Sequence, residues 1–131
     1  KPDIEELGNF SVKYLISDNP IFDKNLVYLG NISNKNVYEN LKAKPRIRFE
    51  TSNFNSINVI SETNNSLKLK TSGNKDKLVV ADSYYPGWTA KIDGQTTEIK
   101  LYKGWARSLE VPEGLHEIVF EYKPFNYKLE K

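Results

Sequence analysis

Apolar and polar residues alternate with a period of two along most of this chain, the spacing of half-buried β-strands. The pattern is cleanest over 116–122, with Ile118, Phe120 and Tyr122 on one side and Glu117, Val119 and Glu121 on the other. Residues 77–83 contain Leu78-Val79-Val80-Ala81, an uninterrupted apolar run that predicts a strand covered on both faces. Asp93-Gly94 separates two strands, 88–92 and 95–100. That dipeptide favours a type I′ hairpin, because both central residues need positive φ. Pro112-Glu113-Gly114 then ends a strand over 107–111.

The first half is less regular. Residues 1–7 predict one helical turn, with Asp3 as N-cap and Gly8 as the stop. A strand over 9–17 ends at Asp18-Asn19-Pro20, and 26–29 and 36–39 pair around an Asn- and Ser-rich loop at 30–35. Pro45 opens a strand over 46–50, and 55–62 pairs with 66–71 across Thr63-Asn64-Asn65. About ten short strands with frequent turn signals and little helix predict an all-β fold, an antiparallel, jelly-roll-like β-sandwich. No internal repeat or low-complexity linker divides the chain, so 1–131 reads as one domain.

Composition narrows the chemistry. The 19 basic and 17 acidic side chains are interleaved, which argues against a nucleic-acid partner. Lys42, Lys44, Arg46 and Arg48, and likewise Lys68 and Lys70, recur every second residue and read as solvated strand faces. The chain has no cysteine, hence no thiolate nucleophile and no sulfur-ligated metal site. His116 is the only histidine, so any Ser-His-Asp arrangement would have to use it. Its place just after the Gly114 turn favours a structural role. Asp82 and Asp93 could supply the carboxylate pair of a small glycoside hydrolase. The turn explains Asp93, however, and hydrogen bonds to loop amides would explain Asp82. No glycine-rich phosphate cradle is present, and no catalytic residue, cofactor or metal is expected.

One constellation stands out. Tyr84-Tyr85-Pro86-Gly87-Trp88 lies across the Asp93-Gly94 hairpin from Tyr102, Trp105 and Arg107. Flat aromatic faces on a sandwich rim stack against sugar rings, with charged or amide side chains bonding the hydroxyls. Tyr84, Tyr85, Trp88, Tyr102, Trp105 and Arg107 are therefore the candidate ligand residues. The competing reading makes Trp88 a core plug between the sheets, and it is preferred there; for Trp105 both readings stay open.

The run from Leu78 through Tyr84-Tyr85-Pro86-Gly87-Trp88 to Ala90 and Asp93-Gly94 resembles a signature near the C-terminus of YfhO-like bacterial membrane proteins. Trp105-Ala106-Arg107, Val111-Pro112-Glu113-Gly114-Leu115-His116 and Phe120-Glu121-Tyr122-Lys123-Pro124 continue the resemblance. Upstream, Val12-Lys13-Tyr14-Leu15-Ile16, Val37-Tyr38-Glu39-Asn40 and Ala43-Lys44-Pro45-Arg46 extend it, so that it spans about residues 11 to 127. The Asn-rich loop at 31–36 and Trp105 depart from the pattern.

The resemblance implies a polytopic glycosyltransferase with a lipid-linked sugar donor, whose β-rich region stands on the extracytoplasmic face of the cell membrane. Its transferase chemistry would lie in the membrane part and first external loop, so no catalytic residue carries over to this chain. A start at Lys1 and the lack of any methionine fit a piece of such a parent. The expected function is a non-catalytic accessory domain that recognises or positions a cell-envelope glycan. The alternative is a structural or protein-interaction module that packs on its own membrane core or on a partner.

Overall fold

The computed structural model describes residues 2–52 and 54–123, and the Pro124 end of the family-like pattern lies outside them. The fold is all-β and antiparallel, with a single short helix among the described residues. Its contacts fall into two compact units, Lys1–Arg46 and Ile47–Lys131, where the sequence reads as one domain.

The first unit opens with α1 (Ile4–Asn9), and the Asp3 carboxylate caps it by accepting from the Glu6 amide at 3.0 Å. Gly8 lies inside the helix and does not end it. A Cβ there would stand 2.1 Å from the Lys42 carbonyl oxygen, and the Gly8 carbonyl accepts from the Lys44 amide. Only glycine permits that approach. The strand expected over 9–17 is β1 (Tyr14–Ser17), because Asn9 is still helical.

Strands β2 (Leu26–Ile32) and β3 (Lys35–Asn40) complete a sheet in the order β1-β3-β2. The loop expected over 30–35 shrinks to Ser33-Asn34, both with positive φ, and Gly30 instead sits where the register shifts. Asn40 is buried and saturated: its amide donates to the carbonyls of Ile4 and Val12 and accepts from the Lys42 amide.

The second unit is a sandwich of two sheets. One is ordered β10-β11-β7-β4 and comprises β4 (Ile47–Phe49), β7 (Asp76–Ser83), β10 (Lys100–Tyr102) and β11 (Ala106–Val111). The other is ordered β5-β6-β12-β8-β9. It comprises β5 (Ser56–Thr63), β6 (Ser66–Ser72), β8 (Trp88–Ile92), β9 (Gln95–Thr97) and β12 (His116–Tyr122). The strand expected over 95–100 divides into β9 and the start of β10, because the chain crosses between sheets at Glu98-Ile99.

Phe49, Leu78, Val80, Leu109 and Val111 from the first sheet meet Leu67, Leu69, Trp88, Ala90, Ile118 and Phe120 from the second. That layer is the core. The run Leu78-Val79-Val80-Ala81 is buried on both faces, as its sequence predicts. Val79 points away from the core, into a second cluster with Tyr102 and Ala106, against which Trp105 packs. The basic run does not form a solvated strand face. Lys42 and Lys44 precede β4, and Arg48 is buried with its guanidinium 5.6 Å from the Tyr102 ring centroid.

Asp76 ties β7 to the loop after β4. Its carboxylate accepts from the amides of Thr51, Ser52 and Lys77 and from the Thr51 hydroxyl. Burial pushes this carboxyl up, but those hydrogen bonds outweigh it and hold the group below the usual carboxylate range. Its stabilising contribution is therefore present above about pH 3.8 and lost as the pH falls through the depressed value. Asp76→Asn should cost about 1–3 kcal/mol in urea unfolding at pH 7. The gap between wild type and variant should narrow in acid; an equal gap at pH 2.5 and pH 7 would contradict this account.

Candidate functional site

The six candidate aromatic and arginine positions do not form one platform. Tyr102 and Arg107 lie on opposite faces of the β10-β11-β7-β4 sheet, Trp88 comes from the other sheet, and Tyr84, Tyr85 and Trp105 lie in connections. Arg107 points into the sandwich with Leu109 and Val111, and its guanidinium lies 3.9 Å from the Trp88 ring centroid. Trp88 is only 8% exposed. Tyr85 and Tyr122 approach it at centroid distances of 6.3 and 5.4 Å and meet each other at 5.2 Å. Trp88 is thus the core plug, with Arg107 over its ring. Tyr102 is buried on the opposite face of the sheet, beside half-buried Trp105. Tyr84 and Tyr85 are the exposed members, and the Tyr84 amide donates to the Trp105 carbonyl at 2.8 Å.

The two candidate carboxylates have separate partners. Asp82 faces the Arg107 guanidinium at 3.2 Å, so a charge partner, not a loop amide alone, accounts for it. Asp93 follows the end of β8 remote from Trp88. There it forms the type I′ turn with Gly94, and its Oδ1 accepts from the Glu117 amide at 2.8 Å. Its Oδ2 is 2.7 Å from His116 Nδ1, while His116 Nε2 is 3.0 Å from the Glu113 carbonyl. The histidine joins the Asp93-Gly94 hairpin turn to the turn that carries the chain from β11 to β12 in the other sheet. Both ring nitrogens face acceptors, and only the imidazolium can donate to both. The Asp93 bond, followed by the Glu113 carbonyl, accordingly raises the His116 pKa. The Glu117 amide and His116 in turn lower that of Asp93.

A different cleft carries the features expected of a ligand site, and it lies in the first unit. The loop after β1 folds over the β2–β3 hairpin and encloses about 510 Å³, walled by Ile21, Phe22, Leu26, Tyr28 and Tyr38, with Asp23 and Asn36 as polar members. Phe22 is 83% exposed and Tyr28 56%. Tyr28 and Tyr38 meet at 5.6 Å between centroids with their planes tilted by 58°. The Tyr38 hydroxyl oxygen accepts from the Ile21 amide at 2.8 Å, which fixes the loop and leaves its own proton to be donated. Sequence reading treats 18–25 only as a connection. The available signal is Phe22, an aromatic in a loop between Pro20 and Asp23, where neither strand periodicity nor a turn requires one.

Among the described residues, no group of three or more His, Cys, Asp or Glu side chains could hold a metal ion. No helix among them is long and apolar enough to cross a membrane. Comparison with protein-family models, curated proteins and solved structures finds no match to this chain.

The His116–Asp93 clamp makes stability depend on pH with a definite sign. A raised histidine pKa contributes fully below about 6.5 and is lost as pH rises through the folded value. A lowered aspartate pKa contributes above about 3.8 and is lost in acid. The clamp should therefore be strongest between these limits. His116→Gln should lower the melting temperature most near pH 5.5 and least near pH 9. A gap that is constant from pH 5 to pH 9 would show that the imidazolium is not the stabilising form.

Proposed function

We propose that this chain is a non-catalytic accessory module that recognises a cell-envelope glycan, as part of a YfhO-like membrane glycosyltransferase on its extracytoplasmic side. The observation that carries the recognition role is the cleft beside β2 and β3. It presents two exposed aromatic rings, Phe22 and Tyr28, next to Asp23, Asn36 and the Tyr38 hydroxyl. The C–H faces of a sugar ring pack on such aromatic surfaces, and nearby carboxylate, amide and phenol groups bond its hydroxyls. The parent and its location are supported by the tyrosine-proline-glycine-tryptophan signature and the segments that follow it. The separate pairing of Asp82 with Arg107 and of Asp93 with His116 favours a module without hydrolytic chemistry.

A second reading, a protein-interaction module, is favoured by one observation. The register of the first sheet places Tyr14, Ile16, Val27 and Ile32 on a common face, and all four are exposed. Under this reading Ile16→Asp would abolish association with the membrane part of the parent and leave glycan binding intact.

Calorimetric titration of the 131-residue chain with a panel of envelope oligosaccharides tests the recognition role. At least one oligosaccharide should bind saturably, and Phe22→Ala and Tyr28→Ala should each weaken it about fivefold to tenfold, on the order of 1 kcal/mol. Melting temperatures should stay near wild type, because both rings are exposed. Absence of saturable binding across the panel would reject glycan recognition and favour the interaction module.

A further inference from the structure

The cleft of the first unit offers two kinds of attraction that need no unfilled hydrogen-bond position. Its walls carry three aromatic rings, Phe22, Tyr28 and Tyr38, and among the described residues that line it the half-buried Asp23 is the charged one. Much of the hydrogen bonding in the walls is engaged. The Asn36 amide donates to the Asp18 carbonyl and accepts from Asn31, and the Tyr38 hydroxyl oxygen accepts from the Ile21 amide. Asp23 Oδ1 accepts from the Asn25 amide at 2.8 Å, a bond that shapes the turn and leaves the carboxylate its charge. The Tyr28 and Tyr38 rings are tilted, not stacked, so neither lies flat against the other. A negative π-face and a carboxylate in one wall attract the same kind of group, a cation.

Charge then selects among sugars. A neutral sugar can pack on the rings but gains no Coulomb attraction between net charges from Asp23, and an acidic sugar is repelled by it. A sugar in which an ammonium replaces one hydroxyl gains from both kinds of wall. Its C–H face packs on an aromatic surface, and its cation meets a π-face and a carboxylate. The chain as a whole carries a net charge of +2, so its long-range field opposes a cation, and a preference for one has to come from the local wall. We propose, resting on the reading of this cleft as a glycan site, that it selects amino sugars with a free ammonium group. The sugar ring lies on the exposed Phe22 and Tyr28, and Asp23 supplies the counter-charge. N-acetylation of the same nitrogen removes the charge and, with it, the preference.

The β-linked trimers of glucosamine, N-acetylglucosamine and glucose are the probes, because they share ring and linkage and differ only in the group at C2. Each is titrated calorimetrically into the full chain near pH 6, where an amine of this kind is protonated. The glucosamine trimer should bind about tenfold tighter than either neutral trimer. Asp23→Asn keeps an acceptor for the Asn25 amide, so the melting temperature should stay near wild type. The preference for glucosamine should fall in that variant to about threefold or less. Saturable binding of a neutral trimer, with the glucosamine trimer equal or weaker, would overturn the ammonium assignment and leave glycan recognition standing. A preference that survives Asp23→Asn undiminished would overturn it too, because the cation would then be met elsewhere. If none of the three trimers binds, the assignment falls, and the wider oligosaccharide panel decides the recognition role separately.

Discussion

A guanidinium that points between two β-sheets must be neutralised where it sits, because an uncompensated charge in that layer costs several kcal/mol. Arg107 is such a group. Strand β11 alternates, and the register that sends Leu109 and Val111 into the core sends Arg107 with them. Asp82, two residues beyond Val80 on the neighbouring strand, lies on the same face and supplies the counter-charge. Trp88 supplies a π-face from the opposite sheet, and Phe120 lies under the guanidinium at 5.7 Å. Four strands and both sheets are thereby held at one point. The same contact fixes the tryptophan ring and so decides where its N–H ends up.

The two units treat apolar surface in opposite ways. In the second, Leu69, Leu78, Val80, Leu109, Ile118 and Phe120 are completely buried. In the first, Tyr14, Ile16, Phe22, Tyr28 and Ile32 stay largely exposed, and Ile4, Tyr38 and Asn40 are the buried anchors. A three-stranded sheet with one short helix has too little mass to cover both of its faces. Asn40 compensates by holding separate backbone segments through three hydrogen bonds, which fixes the hairpin without a large core. Exposed aromatic rings on a hairpin fixed in this way are suited to contact something other than their own chain.

Much of the fold was legible in the sequence. The alternation over 116–122, the apolar run at 78–81, the Asp93-Gly94 turn and the Asp3 cap all have local causes, and each stands where the sequence placed it. What escaped depends on partners distant in sequence. Alternation shows that Arg107 and Ser108 point to opposite faces; it does not say which face is the core, and a charged side chain argues for the wrong one. Arg48 misled in the same way, because its burial depends on Tyr102 over fifty residues later. The glycine at position 8 reads as a helix stop until Lys42 is known to cross it. The candidate site divided for the same reason. Nearness in sequence joined Trp88, Tyr102 and Trp105, whereas the sheet separates Trp88 from the other two. The Phe22–Tyr28 cleft left one trace in the sequence, the loop aromatic Phe22, because its walls come from a loop and two strands that only the fold brings together.

Strand β8 shows how the two ends of one element come to differ. At Asp93 the side chains are paired: the carboxylate is shared between His116 and the Glu117 amide, the Asp93 amide donates to the Glu117 carbonyl, and the imidazole reaches Glu113. That end is sealed by its own chemistry, so a ligand would have to displace charge-assisted bonds to enter. At Trp88 the balance is reversed. The ring is enclosed by Arg107, Tyr85 and Tyr122, yet its one polar atom faces no acceptor. Gly87, with φ +112°, lets the chain turn into the strand directly against Tyr122, where a Cβ would lie 2.7 Å from that ring. Close packing thus holds the indole from every side except through hydrogen bonding.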